Sequence, residues 1–386
     1  MPDLKGPSAP DDGVFLARCY RPGIGPCVAT VRDGELLDVT SRLAPTARDI
    51  CEFDDPADYL GSAKGEPIGA ADLIARNANE GLRNETEPWM LAPCDFQVIK
   101  ACGVTFAGSM IERVIEERAD GDPDRAEEIR NRIGQRIGTR LLDIEPGSER
   151  AAAAKEALIE EGLWSQYLEV GIGPDAEIFT KSPVLSAVGT GSRIGIHPKS
   201  IWSNPEPELV LACNSKGSIV GAALGNDVNL RDFEGRSALL LGKSKDNNAS
   251  CSIGPYIRLF DEKFRLEDIA NATIDLLIEG EDGFVLEAES DMATISRPLT
   301  DLASQTLDEN HAYPDGFLLF CGTPFAPTKD RDTRGGGFTH HLRDIVTIKS
   351  SGFGALSNEV AHCADCERWS ASASHLMRNL AARELL

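Results

Sequence analysis

Short apolar runs broken by glycine, proline and Asp-Gly turns fill most of the chain, and they predict strands. Residues 14–40, VFLARCYRPGIGPCVATVRDGELLDVT, read as a β-meander that opens a small N-terminal unit. Residues 45–95 are mixed, with Pro67, Pro88 and Pro93 marking loops. A boundary near Pro93 precedes FQVIKACGVTF, which reads as a buried strand. The predicted division is therefore 1–94, small and β-rich, and 95–386, carrying the chemistry.

The pattern changes at about 110–170, where a helical insertion is expected. Asp122 reads as an N-cap with Pro123 at the first helical position. A second helix is predicted from Ser148 through AAAAKEALIEEGLWSQYL, with Leu158, Ile159, Leu163, Tyr167 and Leu168 as its apolar stripe. Such a pair is either a packed surface element or a cover over a site. From 177 to 360 short strands return, including LVLACNSKGSIVGAALGND and the hairpin ATIDLLIEGEDGFVLEAES. The tail SHLMRNLAARELL reads as an amphipathic helix, so the fold class is α+β, mainly β.

Composition narrows the function. The 386 residues are 41% hydrophobic, enough for a substantial core, and the net charge is −23. A surface this negative repels phosphate backbones and anionic lipid, so neither nucleic acid nor membrane is expected as a partner. An anionic substrate would need positive charge focused locally, from a bound cation or a few lysines. The ten cysteines are scattered without a secreted-type framework. No apolar run is long enough to span a membrane, and the N-terminus is polar and acidic. A cytoplasmic protein is the expectation.

The segment PEPELVLACNSKGSIVGAALGNDVNLRD, 205–232, carries the most chemistry. Glu206 and Glu208 are two apart on a predicted strand, so both side chains share a face. The chain then turns and returns with Asn226-Asp227. Three carboxylates form a hard-oxygen set suited to Mg²⁺, or Mn²⁺, better than to Zn²⁺. Residue types alone favour the plainer reading, a solvated strand face.

Order and spacing add more. E-x-E followed by N-D-V-N-x-R-D resembles the signature of the fumarylacetoacetate hydrolase family. The resemblance continues through Lys245, Ser252-Ile253-Gly254-Pro255, the loop Cys321-Gly322-Thr323-Pro324 and the closing FTHHLRDIVTIKSSGFGALSNEV. It covers roughly 95–362 and implies that family's mixed β-sandwich roll, here with a helical insertion and a small N-terminal domain. It also implies Glu206, Glu208 and Asp227 as metal ligands, Lys245 as the active-site lysine, Thr323 near the substrate carboxylate, and a homodimer. Arg231 and Lys181 are substrate-side candidates because an anionic ligand needs cations nearby. Beside a bound cation, the Lys245 pKa would be lowered and its amine could carry a proton.

One departure decides between activities. The family's hydrolases read Gly-x-Asn-Tyr-x-x-His-x-x-Glu where this chain has GVTFAGSMIE. Thr105 and Phe106 replace Asn-Tyr, Ser109 stands in place of the histidine, and Glu112 stays in register. With PEPEL, this more closely resembles the family's 2-keto-3-deoxy-sugar-acid dehydratases. The expected reaction is dehydration of a 2-keto-3-deoxypentonate to 2,5-dioxopentanoate, with Glu112 or Glu177 as acid and Ser109 beside the substrate. The alternatives are C–C hydrolysis of a 2,4-dioxo acid, and a non-catalytic 2-oxo-acid-binding relative. His362-Cys363-x-x-Cys366 lacks a second ligand pair for a closed zinc site. Gly335-Gly336-Gly337 reads as a turn, with no G-K-[ST] following.

Overall fold

A computed structural model describes residues 6–7, 10, 12–120, 122, 124–129, 144–160, 162, 164–325, 327–333 and 337–386. The strands form two main sheets. The larger runs, edge to edge, through Glu66–Ala70, Glu35–Asp38, Gly25–Arg32, Phe15–Arg21, Cys251–Leu259, Ile219–Asp227, Pro207–Cys213, Phe317–Phe320, Val98–Gly103 and Glu177–Ser182. Trp89–Leu91 pairs beside Phe15–Arg21. The smaller sheet orders Val285–Asp291, Thr273–Glu279, Ile345–Ser350, Gly354–His362 and Arg193–Ile196. The N-terminal meander joins the larger sheet directly, through Phe15 opposite Arg258 and Leu16 opposite Ile257.

The central hairpin, Pro207–Cys213 with Ile219–Asp227, is buried on both faces. Successive side chains of a strand point to opposite faces, and the core follows that rule. Leu209 and Leu211 pack between the two sheets with Leu276, Ile348 and Val360. Val210 and Ala212 face the other core, with Ala223, Phe320 and the N-terminal Leu16 and Ile50. Each fully buried Leu or Val contributes about 1.5–3 kcal/mol, so this hairpin is a firm mount for anything carried at its end.

The predicted hairpin at 273–291 pairs as expected, from Thr273 opposite Asp291 to Glu279 opposite Val285. The C-terminal helix, Ala373–Ala382, is capped by Ser372 and buries Leu376 and Leu380. Two readings of the insertion need correction. The strand before it ends at Gly103, short of the Phe106 at which FQVIKACGVTF closes: Val104 takes φ 59° and a helix runs from Ala107 to Arg118. The predicted second helix is two, Glu149–Glu160 and Gln166–Ile172, because Gly162 is left-handed and Ser165 caps a fresh start. Leu158, Tyr167 and Leu168 are buried as predicted, whereas Ile159 is 52% exposed. Asp122 does act as a cap, its carboxylate accepting from Asp124 N at 2.9 Å. Pro123, Leu163, residues 130–143 and two of the three glycines at 335–337 lie outside the described residues. Among the described residues, no helix is long and apolar enough to cross a membrane.

Candidate active site

The site sits where the buried hairpin meets the insertion. Glu206 precedes the first hairpin strand, and its N–H donates to Asn226 Oδ1 at 3.1 Å. The Asp227 N–H returns to Glu206 O at 3.0 Å, which pins the two ends together. Glu208 lies opposite Gly225, on the face that also carries Val210 and Ala223. Carboxylate oxygens of Glu206, Glu208 and Asp227 all come within 4.8 Å of one another, and all three residues are buried. Among the described residues this is the one group of three or more such side chains placed to hold a metal ion.

Lysines and arginines surround the triad unevenly. Lys245 ends the short helix Leu241–Lys245; its ammonium donates to Glu206 and, at 2.9 Å, to Asp227 Oδ2. Lys181 is fully buried and lies 2.7 Å from Asp227 Oδ1. It also donates to Lys245 O and faces Ser250 Oγ at 3.4 Å, so its three N–H groups are taken up by protein. It holds Asp227 and the Lys245 backbone, a different place from the substrate contact expected of it. Arg231 is buried too, its Nε donating to Asn204 Oδ1 at 2.9 Å and lying 3.2 Å from Glu116 Oε1. Among the described residues no cation lies within ion-pair reach of Glu208; the Gly322 N–H donates to its Oε2 at 2.7 Å.

That loop is locally specified. Gly322 takes φ 92°, and a Cβ there would overlap Thr105 Oγ1. Thr105, the residue replacing asparagine in the motif, donates to Cys321 O at 2.6 Å and so ties the first strand to the loop. Thr323 is buried, its hydroxyl donating to Phe325 O at 2.7 Å. Glu177 pairs with Gly103, where a Cβ would overlap its carboxylate; the glycine makes the room. The side chain of Ser109 lies outside the described residues. Glu112 is half-buried on the insertion helix, but the residue that reaches Glu206 is its neighbour Arg113.

Electrostatics follow from this crowding. Burial, then Asp227 and Glu206, push the Glu208 carboxyl well above the usual range. Burial opposes the charge on Glu206 also, but Lys245 and Arg113 outweigh it and hold its pKa down. For Lys245 burial pulls downward, and Asp227, Glu206 and Glu234 overcome it, so its pKa is raised. The lowering expected for Lys245 belongs to the site with a cation bound; with protein groups alone the carboxylates Asp227 and Glu206 favour its ammonium. Burial, then Glu234, push Glu177 up to about 7, against Arg113 and Lys245.

Sequence reasoning missed Arg113, Glu116 and Glu234. Arg113 and Glu116 have the i,i+3 spacing of an intrahelical ion pair, which usually marks a solvated face. Here both are buried. Counting them, six carboxylates (Glu116, Glu177, Glu206, Glu208, Asp227, Glu234) face four cations (Arg113, Lys181, Arg231, Lys245). Burial holds the Glu177 and Glu208 pKa values up, a divalent cation beside Glu208 would favour its anion, and the all-carboxylate donor set of the triad suits Mg²⁺ or Mn²⁺.

No family model matches the chain. A "Probable 2-keto-3-deoxyxylonate dehydratase" of Haloferax volcanii is 29% identical over 201 residues, covering 52% of this chain and 65% of that protein. A 2-dehydro-3-deoxy-D-arabinonate dehydratase of Saccharolobus solfataricus is 31% identical over 184 residues, 48% of this chain and 58% of that one. The matched segments thus span less than two thirds of either relative. Among solved structures, a 2-keto-3-deoxy-D-arabinonate dehydratase complexed with magnesium and 2,5-dioxopentanoate has a TM-score of 0.62 at 20% identity, over 90% of this chain and 99% of that one. These likenesses bear out the resemblance to the dehydratase members of the fumarylacetoacetate hydrolase family, and the chain has their fold.

Proposed function

We propose that the chain is a Mg²⁺-dependent hydro-lyase that converts a 2-keto-3-deoxypentonate to 2,5-dioxopentanoate and water. The observation that carries this reading is the convergence of three buried carboxylates, two of them meeting Lys245, with Glu177 poised near neutrality. The names of the two relatives and of the structural neighbour point the same way. Mn²⁺ is the alternative metal, and a cytoplasmic homodimer is the proposed form of the protein.

Glu206, Glu208 and Asp227 would hold the cation. Bound there, it would supply the positive charge that stabilises an enolate of a 2-oxo acid. The chain's own groups do the rest. Lys245 would act as base only as the neutral amine: beside a bound cation it would first lose its ammonium proton to solvent, then take a proton from C3 and return to the ammonium. Glu177 gives its proton to the C4 hydroxyl, which leaves as water and makes a C3=C4 double bond. A proton then moves from C5 to C3, and the resulting enol becomes the terminal aldehyde. Substrate less one water equals product, so no oxidant is needed.

The test is product analysis with 2-keto-3-deoxy acids and 2,4-dioxo acids in ¹⁸O-labelled water. Dehydration gives one product lighter by one water. Two fragments, with new ¹⁸O in a carboxylate, would show C–C hydrolysis and end the proposal. The role of Glu177 has its own signature. A general acid must be protonated to act, so kcat/KM should fall as pH rises through about 7, the value burial and Glu234 give it. Glu177→Gln should remove that descending limb and cost about 10²–10⁴-fold in turnover. A pH profile unchanged in Glu177→Gln would assign the acid elsewhere.

A further inference from the structure

The insertion helix touches the proposed ligands through Arg113. Helix Ala107–Arg118 packs Met110, Val114 and Ile115 into a core shared with Leu158, Tyr167 and Leu168 of the later helices. Arg113 and Glu116 turn from that core toward the ligand hairpin. One guanidinium then meets three carboxylates from three elements. Arg113 Nη2 donates to Glu206, while Nη1 donates to Glu116 Oε2 at 2.8 Å and lies 3.1 Å from Glu234 Oε2. Glu116 carries the chain of contacts on to Arg231, which lies over the Trp202 ring.

A buried guanidinium persists only where its charge is met. Glu116 and Glu234 flank the guanidinium, Glu116 being shared with Arg231. The third carboxylate is Glu206, met by one arm of a planar guanidinium whose other arm is anchored on Glu116, which fixes the direction of the contact in a way a lone ammonium does not. We infer that Arg113 is a positioning residue, which orients Glu206 for metal and makes the seated insertion helix a condition for a complete ligand set. This inference rests on the metal reading.

Mn²⁺ alone, added to the full metal-stripped chain without substrate, is the probe. Arg113→Met should change the electron paramagnetic resonance line shape of bound Mn²⁺ and speed amide exchange along 107–118 by about tenfold or more. Its kcat should fall about 10–100-fold with KM nearly unchanged, as expected when a group acts mainly in the transition state. Arg113→Lys keeps the charge without the fork, and should fold as wild type yet keep the altered line shape. If Arg113→Met does not fold, the lysine variant decides: a wild-type line shape and kcat there would overturn the inference. Wild-type protein that binds no Mn²⁺ would overturn this inference and the metal reading together. Mn²⁺ binding with unaltered line shapes in both variants would overturn this one alone.

Discussion

Stripping divalent metal from the protein should reduce turnover to background, and Mg²⁺ or Mn²⁺ should restore it. The expectation follows from the charge of the site. Glu208 is 1% exposed, faces no cation within ion-pair reach among the described residues, and is pushed toward its neutral form by burial and by Asp227 and Glu206. A divalent ion reverses that situation, since all three carboxylates are favoured as anions beside it. Binding to the folded state alone also stabilises it, by about 2.7 kcal/mol at a free metal concentration 100 times Kd. Mg²⁺ should therefore raise the melting temperature of the wild type, and Glu208→Gln should remove most of that rise along with the activity. Full turnover in a chelated, metal-free preparation would defeat the assignment of the triad.

The parts of this site that were legible in the sequence are those governed by short periods. An E-x-E spacing places two carboxylates on one strand face whatever surrounds it, and the turn at Lys216-Gly217 fixes where Asp227 returns. The alternation of Leu209 and Leu211 with Val210 and Ala212 likewise predicts a strand, and the structure divides them between two cores. The insertion was harder to read because its helices repeat a pattern that several phases satisfy. Gly162 interrupts one apolar stripe, so Ile159 is turned to solvent while Leu158 stays buried.

Arg113 shows the deeper limit. In MIERVIEER it looks like one charge among many on a solvated face, and its partner Glu206 is 93 positions away. Only the packing of the helix against the hairpin turns that face inward. Lys245 was read in the right place, beside Glu206 and Asp227. Motif position locates a side chain; the direction of its pKa depends on which carboxylates are free to meet it.

Lys245→Ala should lower turnover by about 10³-fold or more, and Lys245→Arg should not recover it. Arginine can fill the space and keep the charge, but it does not release its proton near neutral pH. Metal binding should survive in Lys245→Ala, since removing a cation beside Glu206 and Asp227 increases the attraction for another. That separates loss of chemistry from loss of the metal. The direct measurement is exchange of the C3 hydrogens of a bound 2-keto-3-deoxy acid with deuterated solvent, followed by proton NMR. Wild type should exchange them, Lys245→Ala should not, and Glu177→Gln should exchange them while failing to release water. The order of the two proton steps makes these outcomes distinct: the base acts before the hydroxyl departs, and the acid acts as it departs. If Lys245→Ala still exchanged C3 at the wild-type rate, the base would have to be sought among the carboxylates, with Glu177, raised to about 7 by burial and Glu234, the first to test.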